Sequence, residues 1–390
     1  MGSSFQGLRL VATVGLASGI TWALCHALGF WEATPYGVVI AAVMVRPRFD
    51  RWPREVYALL PVVVMVGLSL GTLLKPLLEG PQVWQFAIVS GLALTLGQAL
   101  PDKLAIVRNL ITVAAVLPLL ASNSTWLGAW HQTLAVVVGL IVAPLLQAGL
   151  RLPVDRILLA SEGESEPAES LLAPRSLRER FADVYFWRKL VVAMLAMAIG
   201  VGVGAVTPKY LFFGVVLLLN DSLGATLGRV RDRMVGVSLG VLMPWLVFNT
   251  MGIQSVAVML VMGGTTALIV ALGLIPQLRT ALISSGVTFV GYGALTDWYI
   301  PNRWIDYLMG CLLALIVCLV VRPLSALSRF RQLALAGEGM TAELSSLLPS
   351  ALEEARALGQ EPELRELIAA LSLRPEDPSL DRRSGGRSPA

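Results

Sequence analysis

Twelve apolar runs, divided by short loops many of which carry arginine, limit how this chain can fold. The runs read 7–30, 35–45, 56–74, 84–100, 104–120 and 131–150, then 188–206, 210–220, 234–252, 255–275, 280–296 and 304–321. Several approach the about 20 residues an apolar helix needs to cross a bilayer. In hydrocarbon no water satisfies the backbone, so a spanning segment keeps its amide bonds within its own helix. Charged residues make up only 14% of the chain, against about 25% in a soluble domain. The fold class expected is an all-α polytopic membrane protein.

One pattern is written twice. Thr34-Pro35-Tyr36 and Thr207-Pro208-Lys209-Tyr210 each follow a long apolar run and open a short one. Eleven helical residues rise about 16 Å, less than the about 30 Å hydrocarbon core. The short runs therefore need shielding inside a bundle, extension, or a re-entrant path. Paired short, proline-marked segments in two halves point to a transport site. Arg108 near the start of the fifth run and Arg279 just before the eleventh repeat the theme, and each half closes with arginine then proline. Gly67-Leu-Ser-Leu-Gly71 echoes Gly236-Val-Ser-Leu-Gly240, at what reads as a different depth in its helix.

The distribution of basic residues gives orientation. With the N-terminus in the cytoplasm, all of the 30 lysines and arginines except Lys75, Lys209 and Arg303 fall on the cytoplasmic side or in the linker and tail. The tract Arg229, Arg231, Arg233 reads as a cytoplasmic loop. Six crossings per half make the halves parallel repeats about an axis along the membrane normal. The domains expected are a first transmembrane repeat (1–150), a cytoplasmic linker (151–187), a second repeat (188–323), a helical cytoplasmic tail (324–373) and a loose end (374–390). Amphipathic spacing in the tail predicts helices over 324–335, 340–358 and 361–373, packed on the membrane face, on each other or in an oligomer. The run 7–30 is too long for a signal-peptide core and reads as the first span.

The composition excludes several classes. The net charge of +4 resides beside membrane spans, so it argues orientation and not nucleic acid. Cys25, Cys311 and Cys318 lie in apolar segments without metal spacing. No Walker-type phosphate loop, nucleophile–base pair or metal cluster is written, so neither an enzyme nor a cofactor is expected.

Arg303, Asp306 and Gly310, opening the last run and followed by Pro323, resemble the signature of the fusaric acid resistance protein-like family, in the aromatic acid exporter superfamily. Arg233, Gly236 and Gly240 resemble its arginine-then-glycine run after the short segment. The resemblance covers about residues 5–325. It implies export of small organic anions, aromatic carboxylates especially, across the bacterial inner membrane. The broad grouping also includes plant anion channels, so a passive channel stays open. A membrane scaffold without transport is a third reading.

Candidate residues follow from charge and helix ends. Arg108 and Arg279 would attract a carboxylate, or as boundary arginines would reach to headgroups. A helix N-terminus offers free N–H groups and partial positive charge, so Thr34, Tyr36, Thr207 and Tyr210 are candidate substrate contacts. As the alternative, tyrosines there anchor the interface. Asp306 is the candidate proton-coupling carboxylate, or a partner for Arg303 or a cap. The partners expected are a small organic anion and the lipid bilayer. A homo-oligomer or a periplasmic adaptor stays open.

Overall fold

The computed structural model describes residues 2–47, 49, 52–100, 105–120, 125–150, 176–182, 184–205, 208–219, 223–292, 296–321, 326–335 and 342–372. Among them every regular element is helical. The chain divides into two units. The larger contains α1 (Gly2–Ala27), α2 (Thr34–Met44), α3 (Arg54–Leu77), α4 (Gln82–Ala99), α5 (Ala105–Leu120) and α6 (Trp126–Gly149). It continues with α7 (Leu177–Ala182), α8 (Val184–Gly202), α9 (Lys209–Leu218), α10 (Leu223–Gly240) from Arg229 on, α11 (Leu242–Met251), α12 (Ser255–Ala271), α13 (Leu278–Tyr292), and α14 (Thr296–Val321) up to Val317. Helices α15 (Ala326–Leu335), α16 (Ala342–Ala357) and α17 (Glu361–Ser372) belong to the smaller unit. The linker 161–169 and the end 374–390 lie outside the described residues.

Among the described residues five stretches are long and apolar enough to cross a membrane: Phe5–Ala27, Arg54–Leu77, Trp126–Gly149, Thr226–Met251 and Trp298–Cys318. Their outer faces carry large apolar side chains such as Leu16, Val62, Leu145, Trp245 and Ile316, all exposed. In water that surface would be costly to leave uncovered. The arrangement is compatible with a multi-pass membrane protein.

The two short helices are interior elements. Eight of the ten residues of α9, Tyr210 to Val216 and Leu218, are buried. Helix α2 buries Thr34, Gly37, Val38, Ala41, Ala42 and Met44. Both are shielded by neighbouring helices, which answers the problem set by their length. Pro35 occupies the first turn of α2, and Pro208 is the N-cap of α9, positions where the missing N–H costs no helical bond. The corner before α2 is a Schellman stop: Phe30 N–H donates to Cys25 O at 2.8 Å and Gly29 N–H to His26 O at 3.0 Å. Gly29 takes φ 79° there, which a side chain would oppose.

Glycines set where the helices touch. A Cβ on Gly37 would lie 2.7 Å from Ala135 O, and one on Gly139 would lie 2.5 Å from Gly37 O, so α2 and α6 meet backbone to backbone. Helices α9 and α14 do the same at Gly214 and Gly310, whose added Cβ atoms would lie 2.8 Å from Gly310 Cα and 2.9 Å from Tyr210 O. Gly67 and Gly71 of α3 face Ile111 and Ala115 of α5, while Gly236 and Gly240 of α10 face Gln277, just before α13, and Thr280 and Ala281 within it. Contacts between early and late helices are reciprocal: α1 packs on α12 and α8 on α4, α2 on α13 and α9 on α5.

Two expected boundaries move. Helix α10 begins at Leu223 and not near residue 234, so Arg229, Arg231 and Arg233 are helical and not loop. Helix α14 begins at Thr296, which puts Arg303 within the helix and only 2% exposed instead of in an outer loop. Hydropathy marks where side chains become apolar, but helical backbone bonding continues through charged residues that find partners. With these starts, Gly67 follows Arg54 by thirteen residues and Gly236 follows Leu223 by thirteen. The apparent difference in depth therefore disappears.

The smaller unit packs α15, α16 and α17 on each other through Leu327, Phe330, Leu344, Leu348, Ala351, Leu364 and Leu371. The buried Glu354 accepts from Leu327 N–H at 3.2 Å, in the first turn of α15. Arg356 and Arg365 both donate to Glu361, at 3.0 and 2.8 Å, and hold its carboxyl down to about 2 from the ordinary 4.5. The carboxyl is depressed on folding, so its contribution is complete above about pH 4.5 and is lost as pH falls towards 2. In the full chain, Glu361→Gln is expected to flatten this acid dependence of amide-exchange protection over residues 342–372. An unchanged acid profile would contradict the assignment.

Candidate functional site

A guanidinium in the interior of an apolar bundle is expensive, at about 2.5–3.5 kcal/mol on insertion scales. Arg303 is there because helical spacing puts Tyr299, Arg303 and Tyr307, each four residues apart, on one face of α14. Asp306 and Gly310 continue the face, all buried, while Trp298, Trp304, Ile305 and Leu312 point outward and are exposed. At Gly310 the backbone of α9 comes close enough to insert Tyr210 from the other side.

Three tyrosine rings surround the Arg303 guanidinium: Tyr210, Tyr299 and Tyr307 each have their centroid 5.4 Å from Cζ. A desolvated cation–π contact is worth about 2 kcal/mol, so three are of the size needed to hold the charge in place. Helix α13 supplies acceptors, since Nη1 donates to Thr288 Oγ1 at 2.7 Å and to Ser284 O at 3.2 Å. The Tyr210 and Tyr299 hydroxyls are hydrogen-bonded to each other, which fixes two walls of the cage. Nε of Arg303 has no hydrogen-bond partner among the described residues. Asp306, 1% exposed, lies three residues along the same helix.

A second arginine borders the cage. Arg233 of α10 has Cζ 5.6 Å from the Tyr307 centroid and donates from Nη2 to the Tyr307 hydroxyl at 3.4 Å. Its Nε is also buried without a partner among the described residues. With Asp306 ionised, Arg303, Arg233 and Asp306 sum to one positive charge, in a setting where an anion would meet little competition from water. The chemistry available is carboxylate binding by guanidinium N–H donors, with aromatic faces beside it. No cluster of metal-ligand type occurs among the described residues.

Of the residues singled out from sequence, Tyr210 and Asp306 belong to this neighbourhood. Thr34 and Tyr36 lie elsewhere, at the α1–α2 corner. The buried Thr34 hydroxyl donates to Phe30 O at 3.0 Å, and Tyr36 packs on the Cys25, Ala33 and Ala135 cluster. Arg279 is exposed at the start of α13, and its guanidinium lies 5.3 Å from the Trp52 ring, which Arg46 also approaches at 4.7 Å. The Arg108 side chain and all of Thr207 lie outside the described residues. The expected parallel between Arg108 and Arg279 does not survive the packing register. Gly71 meets Ala115 and Gly240 meets Ala281, yet Arg108 precedes its contact residue by seven positions and Arg279 by two.

Sequence patterning does not mark Arg303 and Arg233 as site residues, because it assigns both to loops. The signal was present in the four-residue spacing of Tyr299, Arg303 and Tyr307, which is legible once the helix is allowed to start before its apolar stretch.

Thr288→Val keeps the shape and removes the better acceptor of Arg303. Leaving that buried donor unmet is expected to cost about 1–3 kcal/mol, read as a lowered unfolding midpoint in detergent. Thr95→Val serves as the comparison, because Thr95 bonds only its own helix at Gly91 O, and it is expected to change little.

Comparison with known proteins finds no matching family model, no similar curated protein and no similar solved structure.

Proposed function

We propose that the chain is a bacterial inner-membrane transporter that exports small organic acids, aromatic carboxylates among them, and that it is coupled to protons. The observation that carries this reading is the buried Arg303, held among three tyrosines with Asp306 on the same face. A cation kept in an apolar interior suits transient occupation by an anion. Aromatic walls suit a ring-bearing one. Protonation of Asp306 changes the charge of this face by one unit, so proton binding and anion binding are linked.

The reading places the anion at Arg303 and Tyr210, with Arg279 left at the mouth. It includes membership of the fusaric acid resistance protein-like family, through Arg303, Asp306 and Gly310 and through Arg233, Gly236 and Gly240. It also includes two parallel six-segment repeats with cytoplasmic termini. The repeat is supported by the matched glycine crossings, α2–α6 with α9–α14 and α3–α5 with α10–α13, and by the reciprocal contacts between halves.

In proteoliposomes, benzoate flux is expected to depend on an imposed pH gradient. Arg303→Gln is expected to weaken benzoate by about tenfold to a hundredfold, the worth of a hydrogen bond to a charged group. Asp306→Asn is expected to leave flux that no longer follows the gradient. Benzoate current in the wild type without proton coupling would favour the passive channel. Full flux in both variants would remove this site, and loss of function only on deleting α15 to α17 would favour the scaffold.

A further inference from the structure

We infer that Arg233 forms a second, staging site for the substrate carboxylate, and that the Tyr307 ring is the gate between it and Arg303. The inference rests on the transport reading above and concerns the route by which the anion reaches the cage. Tyr307 is buried between the two guanidinium groups, with its centroid 5.6 Å from Arg233 Cζ and 5.4 Å from Arg303 Cζ. Two like charges thus share one tyrosine, whose hydroxyl bonds both guanidinium groups, and each has a buried Nε–H with no acceptor among the described residues. An acid is close in sequence to Arg233, but it is turned to other partners. Asp232 accepts from Gln277 Nε2 at 2.7 Å and lies 3.9 Å from Arg231 Nε. A carboxylate arriving at Arg233 would supply the acceptor that the described residues do not.

The order along the bundle follows from contacts between α10 and α14. Trp304 Nε1 donates to Ser238 Oγ at 2.9 Å, which sets these two residues at one level. Arg233 precedes Ser238 by five residues, and its neighbour Met234 packs with Cys311 and Ala314. Arg303, Tyr307 and Arg233 therefore succeed one another in the direction in which α14 runs. With cytoplasmic termini, that direction leads inward, so an anion leaving the cytoplasm meets Arg233 first, Tyr307 next and Arg303 last. Tyr307 stands at the level between the two arginines, and the long 3.4 Å bond from Arg233 to its hydroxyl is a weak latch.

The packing of the bundle does not by itself call for an arginine here. Arg233 stands three residues before Gly236, and three residues before Gly67 the corresponding residue of α3 is Val64, packed among apolar neighbours. The same glycine-mediated crossing is thus made with and without a charge at this point.

The test uses the full chain in oriented proteoliposomes, with benzoate supplied from either face. Arg233→Gln is expected to raise the half-saturating benzoate concentration on the cytoplasmic face by about tenfold or more. The opposite face is expected to keep its wild-type value, whereas Arg303→Gln affects both. Arg233→Lys, which keeps the charge, is expected to recover part of the loss, and equal loss in both variants would assign Arg233 a structural role and overturn the inference. Tyr307→Ala is expected to open the gate and give benzoate leakage independent of the pH gradient, while Tyr307→Phe keeps the ring and stays tight. Wild-type saturation on both faces in Arg233→Gln, or a tight Tyr307→Ala, would also overturn it. An absence of benzoate flux in the wild type would instead reject the transport reading.

Discussion

The contact of α9 with α14 at Gly214 and Gly310 is the constraint from which the interior of the second half is built. Without a hydrophobic driving force between spans, helices in a membrane associate through close packing, and glycine permits the closest approach. Here the approach is so close that a Cβ on either residue would meet the other helix's backbone. Tyr210 lies one turn before Gly214, and Tyr307 and Asp306 lie three and four residues before Gly310, so the crossing carries all three into one place. A displaced crossing would withdraw a wall of the cage and leave Arg303 with fewer compensating contacts than its desolvation requires.

The first half makes the related crossing of α2 with α6 around different side chains. Four and seven residues before Gly139 stand Ala135 and Gln132, where the second half has Asp306 and Arg303 before Gly310. Ala135 belongs to a buried apolar cluster with Cys25 and Ala33. Comparable backbone geometry is thus filled with uncharged groups in one half and with ionisable groups in the other. In the two-repeat reading this makes the halves unequal: one is a packed scaffold, and the other holds the charged face.

Much of this was legible in the sequence, and the errors have a common source. The helical class, the short segments, the proline-marked starts and the tail helices all follow from hydropathy, spacing and capping chemistry. Hydropathy assigns Arg233 and Arg303 to loops because an apolar boundary is not a helix boundary. Arg108 and Arg279 were paired by order along the chain, whereas packing register separates them by five positions. Charge counts assign an arginine to the water side by default, and only a partner on another helix reverses that.

The sequence alone therefore determined that this chain is helical, that several of its apolar runs approach the length that crosses a membrane, and that two are too short to stand exposed in one. Backbone hydrogen bonding and the thickness of hydrocarbon suffice for those statements, since each concerns one segment and its solvent. Only the tertiary structure decided that Arg303 is caged by Tyr210, Tyr299 and Tyr307, that Arg233 shares Tyr307 with it, and that Arg279 stacks on Trp52. Those facts depend on which helix faces meet and at what level. That is set by glycine contacts between residues far apart in the chain, as at Gly37 with Gly139 and Gly214 with Gly310.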